Sequence, residues 1–199
     1  ITIASGSSFP NNIPLSWSGG TIDAPSVTFG TVSLIGGSTA QYSTSFVVAT
    51  STTINLGNDP GTSNVNVSTF TNNGTVQASG NWNFKGNIII NAGATVSGAL
   101  TQLTTSGSSL TINASSTFPS NVSPTFNAAI TVNASGVTFG TITQNTSGAF
   151  TFGSSLTATS FIQTSTGVVN NPATAMSLTL TGNLTQKANF GGTNLTVIF

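Results

Sequence analysis

Between residues 87 and 140 the chain repeats a short unit three times. Ile88-Ile89-Ile90-Asn91-Ala92-Gly93-Ala94-Thr95-Val96 is followed by Leu110-Thr111-Ile112-Asn113-Ala114-Ser115-Ser116-Thr117-Phe118. Ile130-Thr131-Val132-Asn133-Ala134-Ser135 comes next and runs into Val137-Thr138-Phe139-Gly140. The starts at 88, 110 and 130 are 22 and then 20 residues apart, a period in the solenoid range. Each unit alternates apolar and polar residues, as a strand with one buried face does, then turns on Asn and small residues. One such unit cannot bury its apolar face alone, but stacked copies can. The reading is an all-β parallel β-solenoid (β-helix) of about nine coils of 20–22 residues across 1–199.

A longer repeat lies above the short one. Ile1-Thr2-Ile3-Ala4-Ser5-Gly6-Ser7-Ser8-Phe9-Pro10 aligns with Leu110-Thr111-Ile112-Asn113-Ala114-Ser115-Ser116-Thr117-Phe118-Pro119. Thr21-Ile22-Asp23-Ala24 aligns in turn with Thr131-Val132-Asn133-Ala134, so that 1–33 resembles 110–143. Two tandem β-sandwiches would also give a long offset, and a jelly-roll or Ig-like filament subunit with donor-strand exchange is the alternative fold. A sandwich gives no reason for Ile88, Leu110 and Ile130 to start matching strands, so the solenoid is preferred and these three residues are expected to stack. Between 33 and 80 the repeat blurs: Phe46-Val47-Val48, Thr53-Ile54-Asn55-Leu56 and Val65-Asn66-Val67 read as strands, and Asn58-Asp59-Pro60-Gly61 as a turn. No linker divides the chain, which is expected to form a single domain.

Composition fits this class. Ser, Thr, Asn and Gly make up more than half of the 199 residues, and only Asp23, Asp59, Lys85 and Lys187 are charged. A hydrophobic fraction of 37% with 13 Phe argues against disorder. With no cysteine, neither disulfides nor thiolate metal sites are available. Ile1 in place of Met points to a removed leader or a trimmed boundary. Eight Asn-x-Ser/Thr acceptors occur, at Asn66, Asn73, Asn113, Asn121, Asn133, Asn145, Asn183 and Asn194, so N-linked glycans are expected partners. Pro124 directly after Ser123 weakens the acceptor at Asn121.

The same composition argues against most chemistry. Sugar-cleaving β-helices need clustered carboxylates or a basic group, and this chain has no Glu, His or Arg. Asp23 occupies the repeat position of Asn133 and reads as a corner residue, while Asp59 belongs to a turn. No nucleophile elbow, phosphate loop or metal spacing occurs, and two lysines cannot neutralise a run of phosphates. No catalytic, metal or cofactor residue is assigned, and nucleic acid and a membrane span are not expected. Sugar binding through Trp17, Tyr42 and Trp82 is a weaker option, as is ice binding through Thr-x-Thr pairs around Thr151, Thr157, Thr179 and Thr181.

The corner asparagines Asn91, Asn113 and Asn133 have two readings. Stacked, they form an inward amide ladder bonded coil to coil; turned outward, Asn113 and Asn133 carry glycans. Asn91 favours the ladder, because Gly93 takes its acceptor position. The Ile-Thr-Val-Asn-Ala-Ser-Gly units resemble the repeats of filamentous-haemagglutinin-type adhesins and related β-solenoid surface proteins. The near absence of charge also resembles the thread-like subunits of archaeal surface filaments, which would imply strand exchange. The expected protein is a non-enzymatic, secreted structural subunit of a cell-surface filament or layer, with an adhesin or glycan-binding module as the alternative.

Assembly is expected to be head to tail, forming a homopolymer. Ile1 and Ile3 at one end, and Leu195, Val197 and Phe199 at the other, lie in β-prone segments without charged gatekeepers. Lys85 and Lys187 are also candidates for an intrachain isopeptide bond, which requires a buried lysine beside Asn or Asp. Stability should hardly depend on pH, since only two carboxylates and no histidine can change their protonation between neutrality and acid. Thermal melts between pH 7 and pH 3 are expected to differ by only a few degrees, and a steep acid loss would contradict this.

Overall fold

The computed structural model of the protein describes residues 1–4, 7–8, 10, 13, 15–17, 20–24, 28–34, 46–58 and 68–199. Within them the regular structure is entirely strand. In chain order the first strands are β1 (Leu15–Trp17), β2 (Gly20–Ile22), β3 (Thr28–Leu34), β4 (Phe46–Val48), β5 (Thr53–Asn58) and β6 (Thr69–Asn72). The central ones are β7 (Thr75–Phe84), β8 (Asn87–Ile90), β9 (Thr95–Thr105), β10 (Ser109–Ile112), β11 (Ser123–Phe126) and β12 (Ile130–Asn133). The last are β13 (Thr138–Gln144), β14 (Phe150–Phe152), β15 (Leu156–Gln163), β16 (Met176–Leu180), β17 (Leu184–Thr185) and β18 (Leu195–Ile198).

Alternate strands pair along most of the chain, and only β15 pairs with its immediate successor β16. An 11-stranded sheet runs β1-β3-β5-β7-β9-β11-β13-β15-β16-β18, with β17 also against β15, and a 7-stranded sheet runs β14-β12-β10-β8-β6-β4-β2. Every pairing is parallel. This is a right description of a β-solenoid, and it rules out the antiparallel sandwich alternative. The turn of the chain is short strand, corner, long strand, corner. β8 leads through 91–94 into β9, and 106–108 lead into β10.

The long strands bend in the middle. Inward positions in β9 are Val96 and Leu100, then Leu103 and Thr105, so the alternation slips phase halfway. At the same point the pairing of β7 with β9 skips one residue, Gly80 facing Leu100 and Asn81 facing Gln102. A bulge of this kind kinks a strand and re-aims its side chains. Gly98 permits the approach: its φ is +95°, and a Cβ there would overlap the carbonyl oxygen of Ala78.

Among the described residues the turns with a strand in each sheet number about seven where nine coils were expected, since the smaller sheet has only seven strands, and turn lengths vary. Gly20 pairs with Phe46 and Phe70 with Ile88, advances of 26 and 18 residues (20 to 46, 70 to 88). Beyond β14 the same stack continues only as single bridges, Phe150 to Val169 and Val169 to Phe190. The expected stack of Ile88, Leu110 and Ile130 is corrected in its third member. Ile88 faces Leu110, but Leu110 faces Val132, and Ile130 faces Phe150. The strands at 46–48 and 53–56 form as expected; Asn58 closes β5, while 59–61 and 65–67 lie outside the described residues. The two long-range repeats carry the same pairing: Thr2 bridges Asp23 as Thr111 pairs with Asn133.

Between the sheets one core runs along the axis. Phe46, Phe70, Trp82 and Phe84 form one aromatic stack, with Phe70 5.4 Å from Phe46, 5.1 Å from Phe84 and 6.0 Å from Trp82 between ring centroids. Phe126, Phe150, Phe152, Phe161 and Phe190 form a second. Each fully buried large side chain contributes roughly 1.5–3 kcal/mol, and edge-to-face contacts add about 0.5–1.5 kcal/mol per pair. The Trp82 Nε1–H is buried with no acceptor, a cost of about 1–3 kcal/mol that the surrounding rings offset.

Candidate functional site

Parallel in-register stacking turns every outward position into a column along the axis. The most uniform column is threonine. Thr53 faces Thr75, Thr75 faces Thr95, and Thr95 bridges Thr117. Further along, Thr138 faces Thr157 and Thr157 faces Thr179. All seven are half-buried or exposed. Neighbouring columns vary: two residues on stand Asn55, Gln77 and Ser97 in facing rungs. Thr157 and Thr179 of the expected Thr-x-Thr set share this column, whereas Thr151 lies on the other sheet facing Thr131.

A second set of polar residues bonds along the axis. The Asn91 Nδ2 donates to Asn73 Oδ1 at 2.6 Å, and the Asn113 Nδ2 donates to Asn91 Oδ1 at 3.5 Å and to the Ile90 carbonyl at 3.2 Å. The corner amide ladder therefore forms, with two corrections. Its third member is Asn73, since Asn133 faces Thr111 and is exposed. The ladder is also half-buried at the surface, not inward. The inward amide of this region is Asn72, whose Nδ2 donates to the Thr95 carbonyl and whose Oδ1 accepts from the Gly74 N–H, both at 3.0 Å.

At the opposite corner a buried ladder escaped the sequence reading. The Gln163 Nε2 donates to Gln144 Oε1 at 3.1 Å and to the Gly167 carbonyl at 2.8 Å. Its Oε1 accepts from the backbone N–H groups of Lys187 and Ala188 at 3.0 and 3.3 Å. The Gln144 Nε2 donates to the Gly148 carbonyl at 2.9 Å. The available signal was a glutamine on the inward phase of a strand with Gly four residues later, as in Gln144 to Gly148 and Gln163 to Gly167. Just outside it, Asn145 Nδ2 donates to Asn127 Oδ1 and the Thr164 hydroxyl donates to Asn145 Oδ1.

Asp23 is half-buried in its bridge to Thr2, and Asp59 lies outside the described residues. Lys85 and Lys187 are both exposed, and the Lys187 Nζ donates to the Thr164 carbonyl at 2.9 Å. Neither therefore has the burial that an isopeptide-forming lysine requires. Among the described residues no group of three or more His, Asp, Glu or Cys could hold a metal, and no helix is long and apolar enough to cross a membrane.

Of the three aromatic residues weighed for sugar binding, Trp82 lies inside the core, and the Trp17 side chain and Tyr42 fall outside the described residues. Asn66 among the glycan acceptors also falls outside them. Asn73, Asn113 and Asn145 are ladder rungs, and the Asn194 Nδ2 donates to the carbonyls of Pro172 and Ala173. Asn121, Asn133 and Asn183 are exposed. Ile3, Leu195 and Val197 pack against the core, whereas Ile1 and Phe199 are exposed, Phe199 at 78%.

The Gln ladder makes a direct prediction. Gln163→Leu removes the partners of the Lys187 and Ala188 N–H groups and of the Gly167 carbonyl, and an orphaned buried group costs about 1–3 kcal/mol. Chemical denaturation should show a loss of several kcal/mol, against less than about 1 kcal/mol for the exposed Thr164→Ala. Equal stability of Gln163→Leu and the parent would mean that the ladder does not hold this corner.

No protein-family model, curated protein or solved structure matches the chain.

Proposed function

We propose that the protein is a non-enzymatic rod of the cell surface or extracellular space, built to extend along its coil axis in a filament or layer. The observation that carries this reading is the direction of its polar chemistry. The ladders Asn73–Asn91–Asn113, Gln144–Gln163 and Asn127–Asn145–Thr164 all run from coil to coil, so side chains reinforce the axis instead of meeting at a reaction centre. Parallel coils also extend by simple addition. β18 pairs with β16 on one side, and its other edge is suited to a further parallel strand, from later residues of the same polypeptide or from a second copy. Addition of copies in this head-to-tail manner is a heterologous contact that does not close.

Electron microscopy of the purified protein at high concentration tests this. Rods that lengthen with concentration are expected, and Ile198→Lys, which puts a charge at the β18 edge, should leave folded single units. A protein that stays as short single units under all conditions would overturn the filament reading.

One observation favours a second reading, ice binding. Two threonine runs, Thr53–Thr75–Thr95–Thr117 and Thr138–Thr157–Thr179, present hydroxyl and methyl groups at the strand spacing of about 4.8 Å, while the adjacent column of Asn55, Gln77 and Ser97 varies. An ordered lattice of water is a surface that such a repeat could match. The protein should then concentrate in the solid during slow freezing, and Thr75→Lys with Thr95→Lys should return it to the liquid. If the parent protein already remains in the liquid, this reading fails.

A further inference from the structure

The Asn-x-Ser/Thr acceptors are equivalent in sequence, but the fold treats them differently. Asn113 has both Nδ2 hydrogens engaged, on the Ile90 carbonyl and Asn91 Oδ1. Asn194 likewise donates to the carbonyls of Pro172 and Ala173. An N-linked sugar replaces one of those hydrogens and must occupy the space its acceptor fills. In Asn145 the amide is held at both ends, its nitrogen on Asn127 and its oxygen by Thr164. Asn73 accepts from Asn91 and sits beside Gly74, where even a Cβ would overlap the carbonyls of Ala49 and Thr52. At Asn121 the acceptor hydroxyl of Ser123 takes the Thr141 N–H at 3.1 Å, and Pro124 follows it.

Asn133 and Asn183 differ from all of these. Both are exposed, and so are their acceptor residues Ser135 and Thr185. Asn133 stands on the outer face of the 7-stranded sheet, its side facing β14 lined by a glycine. A Cβ added at Gly153 would lie 3.0 Å from the Asn133 Cβ, so the rung beside Asn133 carries no side chain. Asn183 follows Gly182, and its backbone N–H, not its side chain, is the group held by the Ser160 hydroxyl, at 3.1 Å.

We infer that, among the described acceptors, Asn133 and Asn183 are the asparagines that carry N-linked glycan, and that the ladder asparagines Asn113 and Asn194 stay unmodified in the folded molecule. The inference rests on the extracellular reading above. The donor is a lipid-linked oligosaccharide. The Asn Nδ2 forms a bond to the anomeric carbon, the bond from that carbon to the lipid phosphate oxygen breaks, and the lipid phosphate leaves with the electron pair. One Nδ2 proton is lost to a base of the transferase. Transfer precedes folding, so selection acts on what can then fold: a sugar at Asn113 or Asn194 removes a rung, while one at Asn133 or Asn183 meets only water.

The test is secretion from a glycosylating eukaryotic host behind a cleavable leader, with site occupancy read by peptide mass spectrometry after enzymatic release in heavy-oxygen water. Glycan is expected on Asn133 and Asn183 and absent from Asn113 and Asn194 in the folded, secreted fraction. The triple variant Asn66→Gln, Asn133→Gln and Asn183→Gln, which also removes the acceptor outside the described residues, should run as a single unglycosylated species with the parent's circular dichroism. Bare Asn133 and Asn183, or sugar on Asn113 or Asn194 in folded protein, would overturn the assignment. Filament formation by the same material is scored separately in the microscope, so a failure of one reading is not mistaken for a failure of the other.

Discussion

Everything in this fold depends on the parallel backbone ladder between coils. Each turn offers a row of N–H and C=O groups to the next, and in-register pairing places like position on like position along the axis. Phe46, Phe70, Ile88, Leu110 and Val132 follow one another in this way on the short sheet. The pairing cannot hold unless the interior fills at every rung, and the interior cannot fill unless each turn returns to the same lateral position. Coil length, corner chemistry and core composition are therefore coupled. A longer turn such as 20 to 46 and a shorter one such as 70 to 88 both return the chain to the same sheet.

The corners show how polar residues enter such an interior. A corner must bury backbone groups that no neighbouring strand satisfies. Thr105 does it with one hydroxyl, which accepts from the Gly107 N–H at 3.0 Å and donates to the Gly86 carbonyl at 2.9 Å. Two coils later Gln144, and after it Gln163, do the same work with a longer amide that also reaches the adjacent coil. Where the corner is apolar, as at Phe84 and Phe126, the side chain joins an aromatic stack instead. One inward column thus alternates between phenylalanine, threonine and glutamine, and each solution suits the corner that follows it.

The class of fold was legible in the sequence, and the register only in part. Apolar–polar alternation identified β8, β10 and β12 and their burial, since all three present alternate residues inward. It could not choose between Ile130 and Val132 as the partner of Leu110. Both lie on the same face, and a slip of two residues leaves the pattern of buried and exposed positions unchanged. Between the facing positions Thr105 and Phe126 and the next facing pair, Leu110 and Val132, the later turn spends six residues where the earlier one spends five. The same slip removed Asn133 from the amide ladder and left it exposed, while Asn73, before the three clear repeats, extends the ladder from the Asn91 end. Gln144 and Gln163 were hidden for another reason: a buried polar residue reads as an outward one until the backbone groups it serves are known.

The scarcity of charge follows from the same geometry. A charged residue that repeated with the coil would stand about 4.8 Å from its copy in the next rung, and two like charges at that distance repel by about 1 kcal/mol even in water. Neutral Thr, Asn and Ser incur no such repulsion and can donate and accept along the column. The two lysines illustrate the limit. Lys85 follows Phe84, and the residues after the facing positions Thr105, Phe126, Gln144 and Gln163 are Ser106, Asn127, Asn145 and Thr164, with Lys187 bonded to the last. Both cations therefore sit on one corner column, separated by four neutral rungs. That separation is roughly 24 Å at the strand spacing, well beyond the screening length of about 8 Å at physiological salt. A solenoid so stacked can carry a charge at a corner, provided that the adjacent rungs do not.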